Sequence, residues 1–242
     1  MTTVSAAVKT EPFKLSYSEN LDLDVSAVIV SAGSSLRMGF NKQFTPIFGV
    51  PVIVRSMLAF QKSSVKNIVL VLRQEDIFQA QRLANEYGIT KLSDIVPGGE
   101  TRAVSALNGV KTATSKYVLI HDGARPLVNQ NVIRRVIGAL TENNAVIPVV
   151  SVKDTLKRVE NCFIKETVDR ENLMSAQTPQ GFIRELYLKA AIDTEVTDDA
   201  QLIQNMSGKV YMVEGDYRNI KITTKEDIIL AEFFLKGDSL CE

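Results

Sequence analysis

The chain has 242 residues, of which 45% are hydrophobic, and this length fits one α/β domain built around a single substantial core. Lys and Arg together number 28, as do Asp and Glu, so no excess of charge directs the chain to nucleic acid or to an anionic membrane surface. No apolar run approaches the ~20 residues of a membrane span.

The two cysteines, Cys162 and Cys241, lack the spacing of metal ligands, and His121 is the one histidine of the chain. This argues against a zinc site and against a disulfide framework, and it favours a reducing cytoplasm. Residues 1–24 have neither the basic start nor the apolar core of a secretory signal, so we interpret them as a polar N-terminal extension.

From residue 25 to about 237, short β-rich runs alternate with segments of helical period, which predicts one domain of parallel βαβ units. The predicted strands are Ala27–Ser31, Asn67–Leu72, Ile95–Pro97, Tyr117–His121 and Ala145–Val150. The predicted helices are Val52–Gln61, Glu75–Tyr87, Thr101–Ala113 and Asn131–Thr141. This order predicts a doubly wound, mostly parallel sheet, whose ligands bind where the loops gather at the carboxyl ends of the strands.

The regular alternation stops after Val150. Residues 151–180 mix short alternating pieces with many charges, and we interpret them as a β-arm that protrudes from the domain. Further along, the pattern predicts helices at Ile183–Ala191 and Ala200–Met206, strands at Val210–Val213 and Asn219–Ile222, and a last helix. Thr224 and Asp227 predict a capping box at the start of that helix.

A basic segment rich in small residues, SAGSSLRMGFNKQF, follows the first predicted strand. It matches neither the dinucleotide fingerprint nor the P-loop, since Gly39 is followed by Phe40 rather than by Lys. Gly33 still permits close approach of a ligand to the backbone, while Arg37 and Lys42 offer a guanidinium fork and an ammonium that suit a polyphosphate. The alternative is a strand-to-helix turn with solvated basic residues, and this stretch alone does not decide between the two.

A second loop, PGGETRAVS, places two glycines before a predicted helix. Bare backbone at Gly98 and Gly99, an acceptor at Glu100 and the hydroxyl of Ser105 are suited to reading the edge of a base. The alternative is an ordinary turn with Glu100 near a helix N-terminus, where the dipole favours negative charge.

A third loop, HDGARP, ends an apolar strand with an acid and a base three residues apart. Asp122 is suited to a sugar hydroxyl or to a magnesium ion, and Arg125 to a phosphate. The competing interpretation is a structural ion pair between these two residues. His121 lacks a partner in a nucleophilic arrangement, so we interpret it as structural.

Taken together, seven segments resemble, in family order, the 2-C-methyl-D-erythritol 4-phosphate cytidylyltransferases of non-mevalonate isoprenoid synthesis. The resemblance runs from Val25 to Leu235 and is carried by SAGSSLRMGFNKQF, PGGETRAVSA, HDGARP, VKDTLKR, VDRENLMSAQTPQGF, TDDA and NIKITTKED. It implies a Rossmann-like nucleotidyltransferase that uses CTP and magnesium, joins CMP to a phosphorylated polyol and releases pyrophosphate. It also implies a homodimer whose arms cross, with the magnesium held mainly by CTP phosphates; no direct metal ligand is assigned.

The resemblance implies a role for each matching residue. Arg37 and Lys42 correspond to the catalytic basic pair. The nucleotide-binding positions are Ser31, Ala32, Gly33, Gly99, Glu100, Ser105, Asp122 and Gly123. The positions that hold the second substrate are Arg125, Thr155, Arg170, Thr178 and Lys221, of which Thr155, Arg170 and Thr178 are expected to serve the partner's site in a dimer.

Two small departures from the family pattern stand out. The span from Arg37 to Lys42 is short, and Glu100 stands where some members have Asp. Two alternative functions remain open from the sequence: a ribitol 5-phosphate cytidylyltransferase of the same fold, and a non-catalytic nucleotide-binding protein.

Overall fold

The computed structural model describes residues 22–33, 41–191 and 196–238. Arg37, Cys241 and most of the N-terminal extension therefore lie outside the described residues. Among the described residues, no helix is long and apolar enough to cross a membrane.

Strands and helices alternate along the middle of the chain, and a run of five strands follows the helix at Gln130–Ala139. The strands are β1 (Val25–Val30), β2 (Pro46–Ile47), β3 (Val50–Pro51), β4 (Asn67–Leu72), β5 (Leu92–Pro97), β6 (Tyr117–Asp122), β7 (Ala145–Ser151), β8 (Leu156–Glu160), β9 (Phe163–Val168), β10 (Met174–Ala176), β11 (Gln180–Ile183) and β12 (Tyr211–Glu214). The helices are α1 (Val52–Gln61), α2 (Ile77–Glu86), α3 (Arg102–Thr112), α4 (Gln130–Ala139), α5 (Arg184–Ala190), α6 (Ala200–Asn205) and α7 (Lys225–Asp238).

The main sheet has the strand order β10-β7-β11-β6-β1-β4-β5, with β12 paired to β7. Strands β6, β1, β4 and β5 run parallel, as do β7 and β12. The predicted doubly wound, mostly parallel sheet is therefore confirmed.

Both faces of this sheet are covered, which explains why β1 is apolar without alternation from Ala27 onward. Ala27 and Ile29 pack into one hydrophobic cluster with α1, α2 and α4, whereas Val28 and Val30 pack into a second cluster with α3, α5 and α6. Successive side chains of a strand point to opposite faces, so a strand between two helical layers needs apolar residues at every position.

One strand departs from the parallel pattern. Strand β11, within the segment QGFI, lies antiparallel between β6 and β7, where the sequence predicts the end of the β-arm and the start of a helix. A β-carbon at Gly181 would lie 2.9 Å from side chains of Leu140 and Val136, so α4 packs directly on the bare backbone of β11. The described structure also contains the short β2–β3 hairpin, which the sequence pattern does not predict.

The predicted strand at Asn219–Ile222 is wrong. The backbone N–H of Ile222 donates to the Ala124 carbonyl at 2.8 Å, and the Asn219 carbonyl accepts from the Arg125 guanidinium at 2.7 Å. Because its bonds go to a loop rather than to a neighbouring strand, this segment lies across the loops that follow β6. The predicted capping box of α7 is confirmed, since the Asp227 carboxylate accepts from the Thr224 N–H at 2.8 Å and the Thr224 hydroxyl accepts from the Asp227 N–H at 3.4 Å.

The segment predicted as a β-arm contains the β8–β9 hairpin. The two strands pair antiparallel with each other, and their side chains are almost all exposed. The residues from Met174 onward belong instead to the main sheet, because β10 pairs with β7.

Candidate active site

Described residues of the three segments that the sequence predicts to bind nucleotide lie side by side at the carboxyl edge of the sheet. A β-carbon added at Gly98 would lie 2.2 Å from the Ala32 β-carbon, and one added at Gly123 would lie 2.4 Å from the Ser31 hydroxyl oxygen. No side chain fits at either glycine without displacing the neighbouring loop. The glycines therefore allow the ends of β1, β5 and β6 to meet, in the place where open α/β sheets bind ligands.

The second loop is held in shape by Ser105. Its hydroxyl accepts from the Gly99 N–H at 3.0 Å and donates to the Thr101 carbonyl at 2.9 Å, and its side chain is buried. Thr101 in turn caps α3 by accepting from the Val104 N–H at 3.2 Å. Glu100 is exposed beside this helix start. Ser105 therefore supports the loop that presents Gly99 and Glu100.

The centre of the site is the carboxylate of Asp122, at the end of β6. Its Oδ1 lies 3.0 Å from Arg102 Nε, and its Oδ2 lies 2.9 Å from Lys221 Nζ and 3.7 Å from Arg125 Nε. The ion pair between Asp122 and Arg125 that the sequence left open is thus present. It is part of a cluster in which three cations surround one carboxylate.

The electrostatics of this cluster are dominated by the cations. Burial alone raises the pKa of Asp122, but the Arg102 guanidinium and the Lys221 ammonium outweigh it and hold the pKa well below its usual range. Burial lowers the pKa of Arg125, against the opposing attraction of Asp122. Asp122 is consequently ionised at neutral pH, and the cluster carries an excess of positive charge suited to phosphate groups.

Two buried residues, His121 and Thr178, hold Asp122 in place. The Thr178 hydroxyl oxygen accepts from the Asp122 N–H at 3.1 Å and lies 3.0 Å from His121 Nδ1, while His121 Nε2 lies 3.2 Å from the Arg125 carbonyl oxygen. A carbonyl only accepts, so Nε2 carries the imidazole proton and Nδ1 accepts from Thr178. The structural interpretation of His121 fits this geometry, and Thr178, predicted to position the second substrate, is buried against Asp122 and His121.

We predict that the imidazole of His121 stays neutral across the physiological range. Burial is the main cause that lowers its pKa from 6.5 to about 4. Because the unfolded chain binds a proton that the folded chain does not, the free energy of unfolding should rise with pH between about 4 and 6.5, by up to about 1.4 kcal/mol per pH unit.

The chain has one histidine, so its proton resonances in an NMR titration give a direct measurement. They should not shift between pH 5.5 and 8 in the folded protein, and His121→Gln should remove this part of the pH dependence of stability. An imidazole that titrates near 6.5 in the folded protein would contradict the prediction.

The basic loop after β1 reaches the same site through Lys42. Its ammonium donates to the Ile222 carbonyl at 3.1 Å, next to Lys221 in the chain. Gln43 fixes the return of the loop by donating from its side-chain amide to the Ser31 carbonyl. Arg37, the other predicted catalytic residue, lies outside the described residues.

Two of the predicted substrate-positioning residues lie elsewhere. Thr155 and Arg170 are exposed on the arm segment, where the Arg170 guanidinium donates to the Lys153 carbonyl. The structure therefore brings together Asp122, Arg125, Thr178 and Lys221 but places Thr155 and Arg170 on the arm.

The sequence interpretation missed two residues of the cluster, Arg102 and Asp199. Arg102 Nη1 lies 2.7 Å from Asp199 Oδ2, and Arg102 also lines a cleft of about 360 Å³ with Thr101, Val196 and Gln201. Both residues belong to segments that carry the resemblance, PGGETR and TDDA, so their place in these segments was an available signal. Among the described residues, no group of three or more His, Cys, Asp or Glu side chains is arranged to hold a metal ion.

Known proteins of one family resemble the chain over most of its length. The sequence profile of the 2-C-methyl-D-erythritol 4-phosphate cytidylyltransferase family matches residues 25–237. Enzymes of that name from Geobacillus thermodenitrificans and Bacillus thuringiensis are 39% and 41% identical to the chain, over 88% and 86% of it and 97% and 96% of their own lengths.

Solved structures give the same result. The 4-diphosphocytidyl-2C-methyl-D-erythritol synthase of Anaerococcus prevotii superposes with a TM-score of 0.78 at 32% identity, over 89% of this chain and 97% of that one. The 2-C-methyl-D-erythritol 4-phosphate cytidylyltransferase of Thermus thermophilus superposes with a TM-score of 0.73 at 30% identity, over 88% and 100%. The chain therefore belongs to the 2-C-methyl-D-erythritol 4-phosphate cytidylyltransferase family.

Proposed function

We propose that the chain transfers CMP from CTP to 2-C-methyl-D-erythritol 4-phosphate, which gives 4-diphosphocytidyl-2-C-methyl-D-erythritol and pyrophosphate. The observation that carries this proposal is the cation cluster around Asp122, set beside three glycine loops in a chain that matches the family over nearly its whole described length. The family match favours methylerythritol over ribitol as the polyol. The presence of Arg37, Lys42 and Lys221 in the sequence counts against a non-catalytic nucleotide-binding protein.

The reaction is an in-line displacement at the α-phosphorus of CTP. A phosphate oxygen of the polyol forms the new bond to phosphorus, and the bond to the pyrophosphate oxygen breaks. A phosphate monoester is already ionised at neutral pH, so the attack needs no general base. The obstacle is the mutual repulsion of two anions, and the protein contributes alignment and positive charge.

We assign the residues of the site accordingly. Arg37 and Lys42 contact the α-phosphate and stabilise the charge that develops there, while Lys221 and Arg125 receive the attacking phosphate. Gly99 and Glu100 face the cytosine, and Asp122 accepts from the ribose while it holds Lys221 in place. Ser31, Ala32, Gly33 and Gly123 supply the backbone against which the nucleotide lies.

We propose that magnesium accompanies CTP. The donor set fits an ion held mainly by phosphate oxygens and water, because Asp122 is already paired with Lys221 and Arg102 and no cluster of three or more acidic, His or Cys side chains exists among the described residues. When bound, the ion neutralises phosphate charge.

We propose that the β8–β9 hairpin joins two chains into a homodimer and carries Thr155 and Arg170 to the partner's site. Val159, Phe163 and Ile164 support this, since these large apolar side chains on the hairpin are 60–78% exposed. Within this proposal residues 25–237 form one domain with an arm, and the chain works in the cytoplasm.

Arg170→Ala tests the arm. We expect KM for the polyol phosphate to rise by a factor on the order of 10 to 100, with the KM for CTP nearly unchanged, because a phosphate loses one charge-assisted partner. Arg158→Ala is the matched control, since Arg158 lies on the hairpin of the same arm segment and pairs with Glu166 at 2.5 Å. A rise confined to the KM for CTP would contradict the proposal that Arg170 binds the polyol phosphate.

Release of pyrophosphate from CTP tests the function itself. The folded chain is supplied with magnesium and CTP, and each of 2-C-methyl-D-erythritol 4-phosphate and D-ribitol 5-phosphate is offered separately. We expect release with methylerythritol phosphate. Release with ribitol phosphate alone would establish the rival enzyme, and release with neither would leave a nucleotide-binding protein.

A further inference from the structure

The segment TDDA contains a buried acid to which the proposed mechanism gives no task. Asp199 is fully buried and stands directly before α6, where an aspartate ordinarily caps the helix. Its side chain makes no capping hydrogen bond. Other side chains accept from the backbone N–H groups at the start of α6. The Asp198 carboxylate accepts from the Gln201 N–H at 3.1 Å, and the Gln180 amide oxygen accepts from the Ala200 N–H at 3.0 Å.

The carboxylate of Asp199 is turned toward the active site. Its Oδ2 lies 2.7 Å from Arg102 Nη1, and its Oδ1 accepts from the Tyr187 hydroxyl at 2.9 Å. Burial of an acid costs free energy unless the acid is paired, and here the partner is a guanidinium whose other edge pairs with Asp122 at 3.0 Å. A continuous line of polar contacts therefore runs from Tyr187 through Asp199, Arg102 and Asp122 to Lys221.

The charges explain why a second acid is useful. Arg102, Arg125 and Lys221 all approach the one carboxylate of Asp122. With Asp199 in place, the charge of Arg102 is shared between two acids, and Oδ2 of Asp122 stays directed to Lys221. Without Asp199, the acidic partner left to Arg102 among the described residues would be Asp122, and we expect its carboxylate to be drawn away from Lys221.

From this geometry we infer that Asp199 is a positioning residue for nucleotidyl transfer: it holds the Arg102 guanidinium, which orients Asp122 and, through Asp122, Lys221. The inference rests on the proposed function, since Lys221 is taken to bind the attacking phosphate. Asp199 itself touches no substrate.

A double-mutant cycle tests the inference. In otherwise unaltered protein, Asp199→Asn should lower kcat/KM by about 10- to 100-fold, the scale on which a small misplacement of reacting groups acts. In a chain that already carries Asp122→Asn, the same replacement should change kcat/KM by no more than about twofold, because the group on which Asp199 acts has lost its charge. Equal losses in both backgrounds would show that Asp199 only supports the fold, and would overturn the inference.

Arg102 supplies a second test that does not depend on the folding of the Asp199 variant. Arg102→Lys keeps the positive charge, but a single ammonium takes the place of the planar guanidinium that bridges two acids. It should lose as much activity as Arg102→Gln, whereas full activity in Arg102→Lys would show that bridging is unnecessary. Asp198→Asn is the matched control, because this neighbouring acid accepts from the Gln201 N–H at 3.1 Å at the start of α6 and is not the acid that pairs with Arg102, and its kcat/KM should stay within about threefold of the unaltered chain.

CTP binding by the same set of variants separates the role of Asp199 from the proposed function. The dissociation constant of CTP is measured for each variant in the presence of magnesium. Absence of turnover in the unaltered chain with either polyol phosphate overturns the proposed function, while the cycle in CTP binding still decides whether Asp199 acts through Arg102 on Asp122. Coupled losses of CTP affinity support the inference, and additive losses or no loss contradict it.

Discussion

Lys42→Ala is expected to lower kcat by a factor on the order of 10² to 10³, the usual result of removing one donor that stabilises charge in the transition state. The Lys42 ammonium donates to the Ile222 carbonyl at 3.1 Å, which places it beside Lys221 at the edge of the cluster where the phosphates would meet. A charge that acts mainly in the transition state changes kcat more than it changes substrate affinity.

Steady-state kinetics with varied CTP and varied polyol phosphate measure this effect. KM for CTP should change by less than about tenfold, since the remaining cations still bind the triphosphate. Lys62→Ala is the matched control, because Lys62 is exposed at the end of α1 and should leave kcat unchanged. A normal kcat in Lys42→Ala would remove this residue from the chemistry.

Asp122→Asn is expected to damage both activity and stability. The amide keeps the shape of the side chain but leaves Arg102, Arg125 and Lys221 without the carboxylate that they share. Loss of one member of a buried, hydrogen-bonded charge cluster costs about 2–5 kcal/mol, and we expect the lower part of this range because Lys221 and Arg102 are partly exposed. We expect kcat/KM to fall by a factor on the order of 10² or more, since Lys221 loses its anchor.

The pH dependence of stability gives this prediction a distinct signature. Because the cations lower the pKa of Asp122 in the folded chain below its ordinary value of 3.8, its contribution is fully present above that value and is lost as the pH falls through the lower, folded pKa. The difference in unfolding free energy between the unaltered chain and Asp122→Asn should therefore be constant from pH 5 to 7 and should shrink in stronger acid.

Urea unfolding at a series of pH values measures the difference. Asp94→Asn is the control, since Asp94 is exposed on β5 and its replacement should change neither activity nor stability. A difference that stays constant down to pH 2 would show that Asp122 does not stabilise the fold through its charge.

The sequence predicted the parts of the fold that depend on local pattern. The apolar run of β1 and the helical period of α3 each follow from neighbouring residues, and the structure has both elements nearly where they were expected. The segment QGFI was misread because a short piece with Gly and Gln has no clear period. It forms a strand because its backbone pairs antiparallel with both β6 and β7.

Motifs in the sequence predicted some residues of the candidate site and missed others. Asp122, Arg125 and Lys221 were marked by motifs and do meet in space. Arg102 and Asp199 stand in segments that carry the family resemblance, but their ion pair joins helix α3 to a distant segment, and no short-range pattern reports that contact. The alternation of NIKI predicted a strand, but tertiary bonds to Ala124 and Arg125 decide the conformation of that segment.

A competition experiment shows which polyol phosphate accepts CMP. The chain is supplied with CTP, magnesium and equal concentrations of 2-C-methyl-D-erythritol 4-phosphate and D-ribitol 5-phosphate, and the diphosphate products are identified by ³¹P NMR and mass spectrometry. We predict that the methylerythritol product forms with a large preference and that Lys42→Ala forms it far more slowly. Predominant formation of the ribitol product, or consumption of CTP without either product, would contradict the proposed function.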